Sequence, residues 1–116
     1  MVNTKYFYTL RMSSEIGNLF SPAAKPQDSE QFHLLLQTPC LRLEQIISYG
    51  TASPRDFWYD QEETEWVLLA KGEAVLQFAG NQLIPLQAGD YLQIAAHQKH
   101  RVASCSQDAI WLALHF

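Results

Sequence analysis

Trp66-Val67-Leu68-Leu69, Lys71-Gly72-Glu73, Ala74-Val75-Leu76-Gln77-Phe78-Ala79, Gly80-Asn81, Gln82-Leu83-Ile84-Pro85-Leu86: residues 66–86 alternate short apolar runs with turn signals, and that alternation decides the fold. Trp66 to Leu69 consists of side chains that suit a pleated, buried surface. Lys71-Gly72-Glu73 and Gly80-Asn81 supply the residues that tight hairpin turns require. Two consecutive hairpins follow, so an antiparallel sheet is expected here.

The same rhythm extends in both directions. Downstream, Gln87-Ala88-Gly89-Asp90 closes another turn before Tyr91 to Ala95, and His97 to His100 leads into a strand from Arg101 to Cys105. The polar turn Ser106-Gln107-Asp108 then precedes a last strand, Ala109 to Phe116. Upstream, Gln31 to Gln37 fits either period and is read as a strand, stopped by Thr38-Pro39. In the next segment Leu41, Leu43, Gln45 and Ile47 share one face, with Arg42, Glu44, Ile46 and Ser48 on the other, up to Tyr49-Gly50. Ser53-Pro54 makes a turn, and Phe57 to Gln61 is expected to extend again. About eight strands at this spacing predict an all-β, eight-stranded double-sheet barrel of jelly-roll type, with an up-and-down barrel as the alternative.

Residues 1–30 read differently. Tyr6, Phe7, Tyr8 and Leu10 are followed by Ser13, Ser14, Gly17, Ser21, Pro22 and Pro26, the punctuation of an irregular arm. Leu19 and Phe20 are expected to dock that arm on the barrel, which occupies residues 31–116. Of the 116 residues 47% are apolar, enough to bury a core, and the length suits one domain.

Eight Lys and Arg against twelve Asp and Glu give a net charge of −4, and the cations are scattered from Lys5 to Arg101, so nothing points to nucleic acid. The longest apolar runs, such as Ile110 to Leu114, are too short to span a bilayer, and the first thirty residues lack a charged-then-apolar leader. No membrane partner is expected, and the expected address is the cytoplasm. Cys40 and Cys105 have no metal-ligand spacing and read as reduced thiols. Tyr6 to Leu10 and the strand edges of an incompletely closed barrel point to a homodimer.

Tyr59 through Gly72 resembles the first motif of the cupin family, in which an H-x-H pair is followed by Glu and then by Gly. Glu65, six intervening residues and Gly72 match, while Tyr59 and Gln61 hold the histidine positions. Gly89 through His100 is similar to the second motif: Gly89 and His100 match, with Ala95 in place of Pro and His97 in place of Gly. The run from Asp56 to Val67, with Gly89-Asp90-Tyr91 and His97 to Val102, is similar to small stand-alone bacterial cupins. The resemblance implies a double-stranded β-helix, and cupin chemistry spans dioxygenases, isomerases, epimerases and binding modules.

In metal cupins the motif histidines and Glu converge on one ion. The resemblance therefore implies a divalent metal ion (Zn, Fe, Mn or Ni) as cofactor, with Glu65 and His100 as ligands. An H-x-x-H spacing in a turn folds two rings towards one point, which makes His97 the candidate second imidazole, and Gln61 offers an amide oxygen as fourth donor. Against this stands a structural alternative in which His97 is a solvated loop residue and Glu65 is satisfied by Tyr59, Gln61 or His100. Tyr59, Asp60, Trp58 and Tyr91 are pocket-lining candidates, and so is His115, because a last strand often lines the barrel. His33 reads as a packing or surface residue, and Lys99 and Arg101 as surface cations flanking the barrel mouth.

Two functions follow. One is a metal-binding cupin acting on a small organic molecule, as a dioxygenase-like oxidoreductase or an isomerase. The other is a metal-free barrel that binds a small ligand or serves as an interaction module.

Overall fold

Hairpin by hairpin, the turns named above deliver the strands. The structure, a computed structural model, describes residues 16–21 and 30–116. Its strands are β1 (Gln31–Gln37), β2 (Arg42–Ile47), β3 (Glu65–Lys71), β4 (Glu73–Phe78), β5 (Gln82–Gln87), β6 (Tyr91–Ile94), β7 (His100–Cys105) and β8 (Ile110–His115), with no helix among the described residues. All pairings are antiparallel. They make a five-stranded sheet in the order β1-β2-β8-β3-β6 and a three-stranded sheet in the order β5-β4-β7. Among the described residues no helix is long and apolar enough to cross a membrane.

Period-two alternation puts the core between the sheets. On β3 the buried positions are Glu65, Val67 and Leu69, on β4 Ala74, Leu76 and Phe78, and on β8 Trp111, Ala113 and His115, with Ile110 at its start buried as well. Leu69, Ala109 and Ala113 are fully buried, the two alanines leaving room for Trp111 and Phe78 in the same cluster.

Three expectations are refined. Phe57 to Gln61 does not pair as a strand: it makes one isolated bridge, Tyr59 to His100, closed by Tyr59 N–H to His100 O at 2.7 Å and His100 N–H to Tyr59 O at 3.2 Å. The segment before it follows β7 but contains Pro54, which has no N–H to donate; contact there is through Ser53, whose N–H reaches Val102 O and whose Oγ accepts from Val102 N–H, both at 2.9 Å. On β2 both faces are buried, Glu44 and Ser48 on one and Gln45 and Ile47 on the other. The outer face is covered because the arm docks there: Gln45 Nε2 donates to Leu19 O at 2.6 Å, so attachment is by a backbone carbonyl, and Phe20 remains 53% exposed. Tyr6 to Leu10 and Pro22 and Pro26 lie outside the described residues.

Gly72 joins β3 to β4 with φ of +86°, and a Cβ there would press into the Ser106 hydroxyl and lie 2.9 Å from Ala109 Cα. Backbone strain and collision act together, so Gly72→Ala is expected to destabilise the fold by about 1–3 kcal/mol, read as a lower urea midpoint at unchanged slope.

Candidate functional site

At one end of the barrel three neighbouring strands each direct an ionisable side chain inward. Alternation places Glu44 (β2), His115 (β8) and Glu65 (β3) on the interior face, and the sheet order β2-β8-β3 sets them side by side. Glu65 stands opposite His115 in the β3–β8 register, and Glu44 is diagonal to it, two residues beyond its β2 partner Arg42. From the other sheet the first residue of β7, His100, reaches across to the same place.

The four side chains stand in a row as two pairs, Glu44 with His115 and Glu65 with His100. His115 Nε2 lies 2.9 Å from Glu44 Oε1 and 3.9 Å from Glu65 Oε2, and His100 Nε2 lies 3.4 Å from Glu65 Oε1. All four residues are buried. His100 is held from behind: its Nδ1–H donates to Gln98 O at 2.9 Å, and its ring packs against Tyr59 and Phe78 with centroids 5.4 and 6.1 Å away. Burial alone would depress its pKa. The Glu65 carboxylate beside it and the Gln98 carbonyl outweigh that, so the ring titrates above its ordinary 6.5.

A third carboxyl enters from just before β1. Glu30 Oε2 accepts from Ser48 Oγ at 3.3 Å, and Ser48 Oγ accepts from Trp111 Nε1–H at 3.0 Å. Burial pushes Glu30 up from 4.5 to about 7; the Ser48 hydroxyl opposes the rise and the Glu44 carboxylate adds to it. The remaining wall is apolar, formed by Ile46, Val67, Leu76, Ile94 and Val102 with Phe32 and Trp111. The pocket has a volume of about 50 Å³, room for roughly three or four waters or a fragment of a few heavy atoms.

Of the residues expected from the sequence, Glu65, His100, Gln61, Tyr59 and His115 line this pocket. His97, Asp60, Trp58 and Tyr91 do not. His97 adopts φ of +61°, its side chain is 64% exposed, and its Nδ1 pairs with Asp60 Oδ1 at 2.8 Å outside the barrel. Its N–H to Gln61 O bond at 2.7 Å ties two rim loops together. Tyr91 is 66% exposed and packs on Trp66. Arg101, read as a mouth cation, is spent on Gln77 Oε1 at 2.8 Å and Ser53 O at 2.9 Å, and His33 on Gln45 Oε1 at 2.8 Å. Cys40 and Cys105 are free thiols, and burial, with the Glu30 carboxyl nearby, raises the Cys105 pKa.

Sequence reading passed over Glu44 and Glu30 and under-weighted His115. A signal existed for two of them. Glu44 is the one acid on a strand face that also carries Arg42, Ile46 and Ser48, and His115 continues the buried series Trp111, Ala113 at two-residue steps.

Donor types suited to a divalent ion are present, but among the described residues no three His, Cys, Asp or Glu side chains converge on a point that would hold one. Each imidazole Nε2 is instead turned onto a carboxylate. His115 Nδ1 has no hydrogen-bond partner, whereas a ligating imidazole donates through its second nitrogen. As arranged, these residues do not form a ready metal centre.

Comparison with known proteins agrees with the architecture. A family model described as a cupin domain matches residues 44–115. A solved structure from Ralstonia eutropha JMP134, of a protein whose name assigns it provisionally to the mannose-6-phosphate isomerases, is 38% identical over 87% of this chain and 96% of its own, with a TM-score of 0.82. A cupin-superfamily protein from Desulfitobacterium hafniense DCB-2 (19% identity, 89% of this chain and 98% of that one, TM-score 0.67) and the iron(II) form of HppE (18%, 76% and 50%, TM-score 0.66) share the fold. Among curated proteins none matches. Two sheets closing on one interior pocket, the matched motif region and the 38% identical relative lead to one conclusion: the chain belongs to the cupin family.

Proposed function

We propose that this cupin binds a small organic molecule inside the barrel and exchanges a proton with it through the pair Glu65–His100, with the pair Glu44–His115 beside it. The observation that supports the reading most directly is the alternation of carboxylate and imidazole on the floor of an otherwise apolar pocket. A desolvated acid–base pair of this kind holds a proton at a defined atom, here His100 Nε2 against Glu65, with Nδ1–H fixed on Gln98 O. Proton exchange with a bound molecule is the elementary step of an isomerisation, and the name of the Ralstonia protein falls in that class. A cytoplasmic address and a homodimer belong to the same proposal; sedimentation showing only a 13.3 kDa species would remove the dimer.

The test is an NMR titration of the His100 ring. With Glu65→Gln, burial is left opposed only by the Gln98 carbonyl, so His100 is expected to titrate below its wild-type value. A ring unmoved by the substitution would show that the two groups are not coupled and would end the proton-exchange reading.

A second reading keeps a divalent metal in the barrel on Glu65 and His100, with Gln61 or with His115 and Glu44; His97, turned out of the barrel onto Asp60, drops from the expected ligand set. It is favoured by two imidazole nitrogens and two carboxylates facing one pocket. Metal content on protein purified without a metal-affinity column decides it. About one equivalent, lost in His100→Ala, would put the metal reading first, and no metal after incubation with excess ions would retire it.

A further inference from the structure

The two sheets treat their outer faces differently. In an antiparallel barrel the side chains that point away from the core meet water and are expected to be polar. The smaller sheet obeys: its outward positions include Glu73, Gln77, Gln87 and Arg101, with Arg101 Nη1 donating to Gln77 Oε1 at 2.8 Å along the surface. The larger sheet does not. Strand pairing sets Leu36, Leu43, Leu114 and Trp66 side by side in one outward row, ended by Gln93 on β6. In the next row Leu112, Leu68 and Tyr91 follow His33 and Gln45, and the Trp66 and Tyr91 rings touch across the two rows. Seven of these ten positions are large and apolar or aromatic, and none is Asp, Glu, Lys or Arg. Lys71 enters only at the next step along β3, opposite Ile110.

The polar members do not need water. Gln45 accepts from or donates to His33 Nδ1 at 2.8 Å through Oε1 and donates to Leu19 O at 2.6 Å through Nε2, so its amide is satisfied at both ends within the chain. Trp66, Leu68, Leu112 and Leu114 each keep part of their surface exposed, and Phe116 continues the outward series of β8 as an exposed ring. Five strands about 4.8 Å apart make the face about 24 Å wide, and with its flanking positions it is on the order of 20 Å long. Its area is therefore on the order of 500 Å² in projection, the upper end of the apolar patches that monomers carry. With side-chain corrugation added, it approaches one partner's share of a standard interface, about 800 Å².

Charge selects the occupant. A nucleic acid or a strongly charged protein segment finds no ion to pair with in either row. The chain carries a net charge of −4, so two copies repel wherever their ionised groups face each other, and a charge-free patch is where they can approach. A two-fold contact places the same patch against itself, which uncharged rows satisfy without opposing like charges. We propose that a second copy of this chain covers the face, outer sheet against outer sheet about a two-fold axis, with Trp66, Leu112 and Leu114 in the buried centre and Leu36 and Tyr91 towards the edges. This rests on the homodimer stated above and moves its contact from the arm and the strand edges to a sheet face. The pocket lies on the opposite side of the same sheet, so the partner does not reach it.

Sedimentation equilibrium on the full chain at about 100 µM tests this, because self-association depends on concentration. The wild type is expected at twice 13.3 kDa. Leu114→Lys puts one ammonium from each copy into the contact and is expected to weaken association at least roughly 100-fold, leaving a folded 13.3 kDa species. Leu83→Lys is the control: that position is 58% exposed on the outer face of the smaller sheet, and the variant is expected to stay dimeric. Should Leu114→Lys fail to fold, Leu36→Lys and Tyr91→Lys, at positions 51% and 66% exposed, are each expected to weaken the dimer at least roughly tenfold. A dimer that survives the Lys variants of this face, or that Leu83→Lys dissolves as readily, would overturn the proposal and return the homodimer to the arm and the edges. A wild type that remains at 13.3 kDa would overturn the face and the homodimer together.

Discussion

Glu44→Ala is expected to lower the stability of the protein by about 3–5 kcal/mol, the combined loss of a buried hydrogen bond to His115 and of the packing of the deleted side chain. Glu44 and His115 are 2% and 1% exposed and 2.9 Å apart. Without the carboxylate, the nearest acceptor for the His115 Nε2–H is Glu65 Oε2 at 3.9 Å, too far for a hydrogen bond, while Nδ1 has no partner even in the intact site. A cavity the size of the missing side chain adds to the penalty. Replacing both residues by leucine should recover much of the loss, since a buried polar pair and a well-packed apolar pair are often close in free energy. Urea unfolding of the single and double variants at one pH checks this. A loss below about 1 kcal/mol would assign the pair the strength of an exposed one and contradict its burial.

Glu30→Gln is expected to act in the opposite direction and only at the alkaline side. With a folded-state pKa near 7 against an ordinary 4.5, Glu30 is protonated in the native protein over a range where the unfolded chain has released its proton. The native state then binds more protons than the unfolded one, so stability falls as pH rises from about 4.5 through about 7. Integrated over that interval the effect is on the order of 3 kcal/mol. The neutral amide cannot ionise, so the variant should lack this decline and be the more stable protein at pH 8, with little difference at pH 4. His100 bends the curve the same way, because a ring with a raised pKa contributes stability that is complete below 6.5 and lost as pH passes its folded value. Parallel pH–stability curves for wild type and Glu30→Gln would show that Glu30 is not held protonated by the fold.

The hairpins were readable because their turns are local: Gly72, Gly80-Asn81 and Gly89 each act within a few residues, and alternation from Glu65 to Phe78 assigns the faces. The Glu65–His100 pair was readable through the motif spacing. What stayed hidden depends on neighbours distant in sequence. His97 and His100 look equivalent as an H-x-x-H pair, yet a left-handed backbone at His97 turns one ring to solvent while β7 begins at the other. Glu44 and His115 are 71 residues apart and meet because β8 enters the sheet between β2 and β3, an arrangement no local pattern encodes. Glu30 was invisible for the same reason, its environment being Ser48 and Glu44 across the sheet.

The central place of β8 bears on how the protein is made. Of the five strands in its sheet it follows all the others in sequence, so a ribosome delivers β2 and β3 first, each with one edge waiting for a partner not yet synthesised. During that interval Glu44 on β2 and Glu65 on β3 have no imidazole between them. Arrival of β8 inserts the imidazole that reconciles them. The same strand that completes the pocket thus completes the sheet, and a nascent chain halted before Ile110 would carry two unpaired edges and no site.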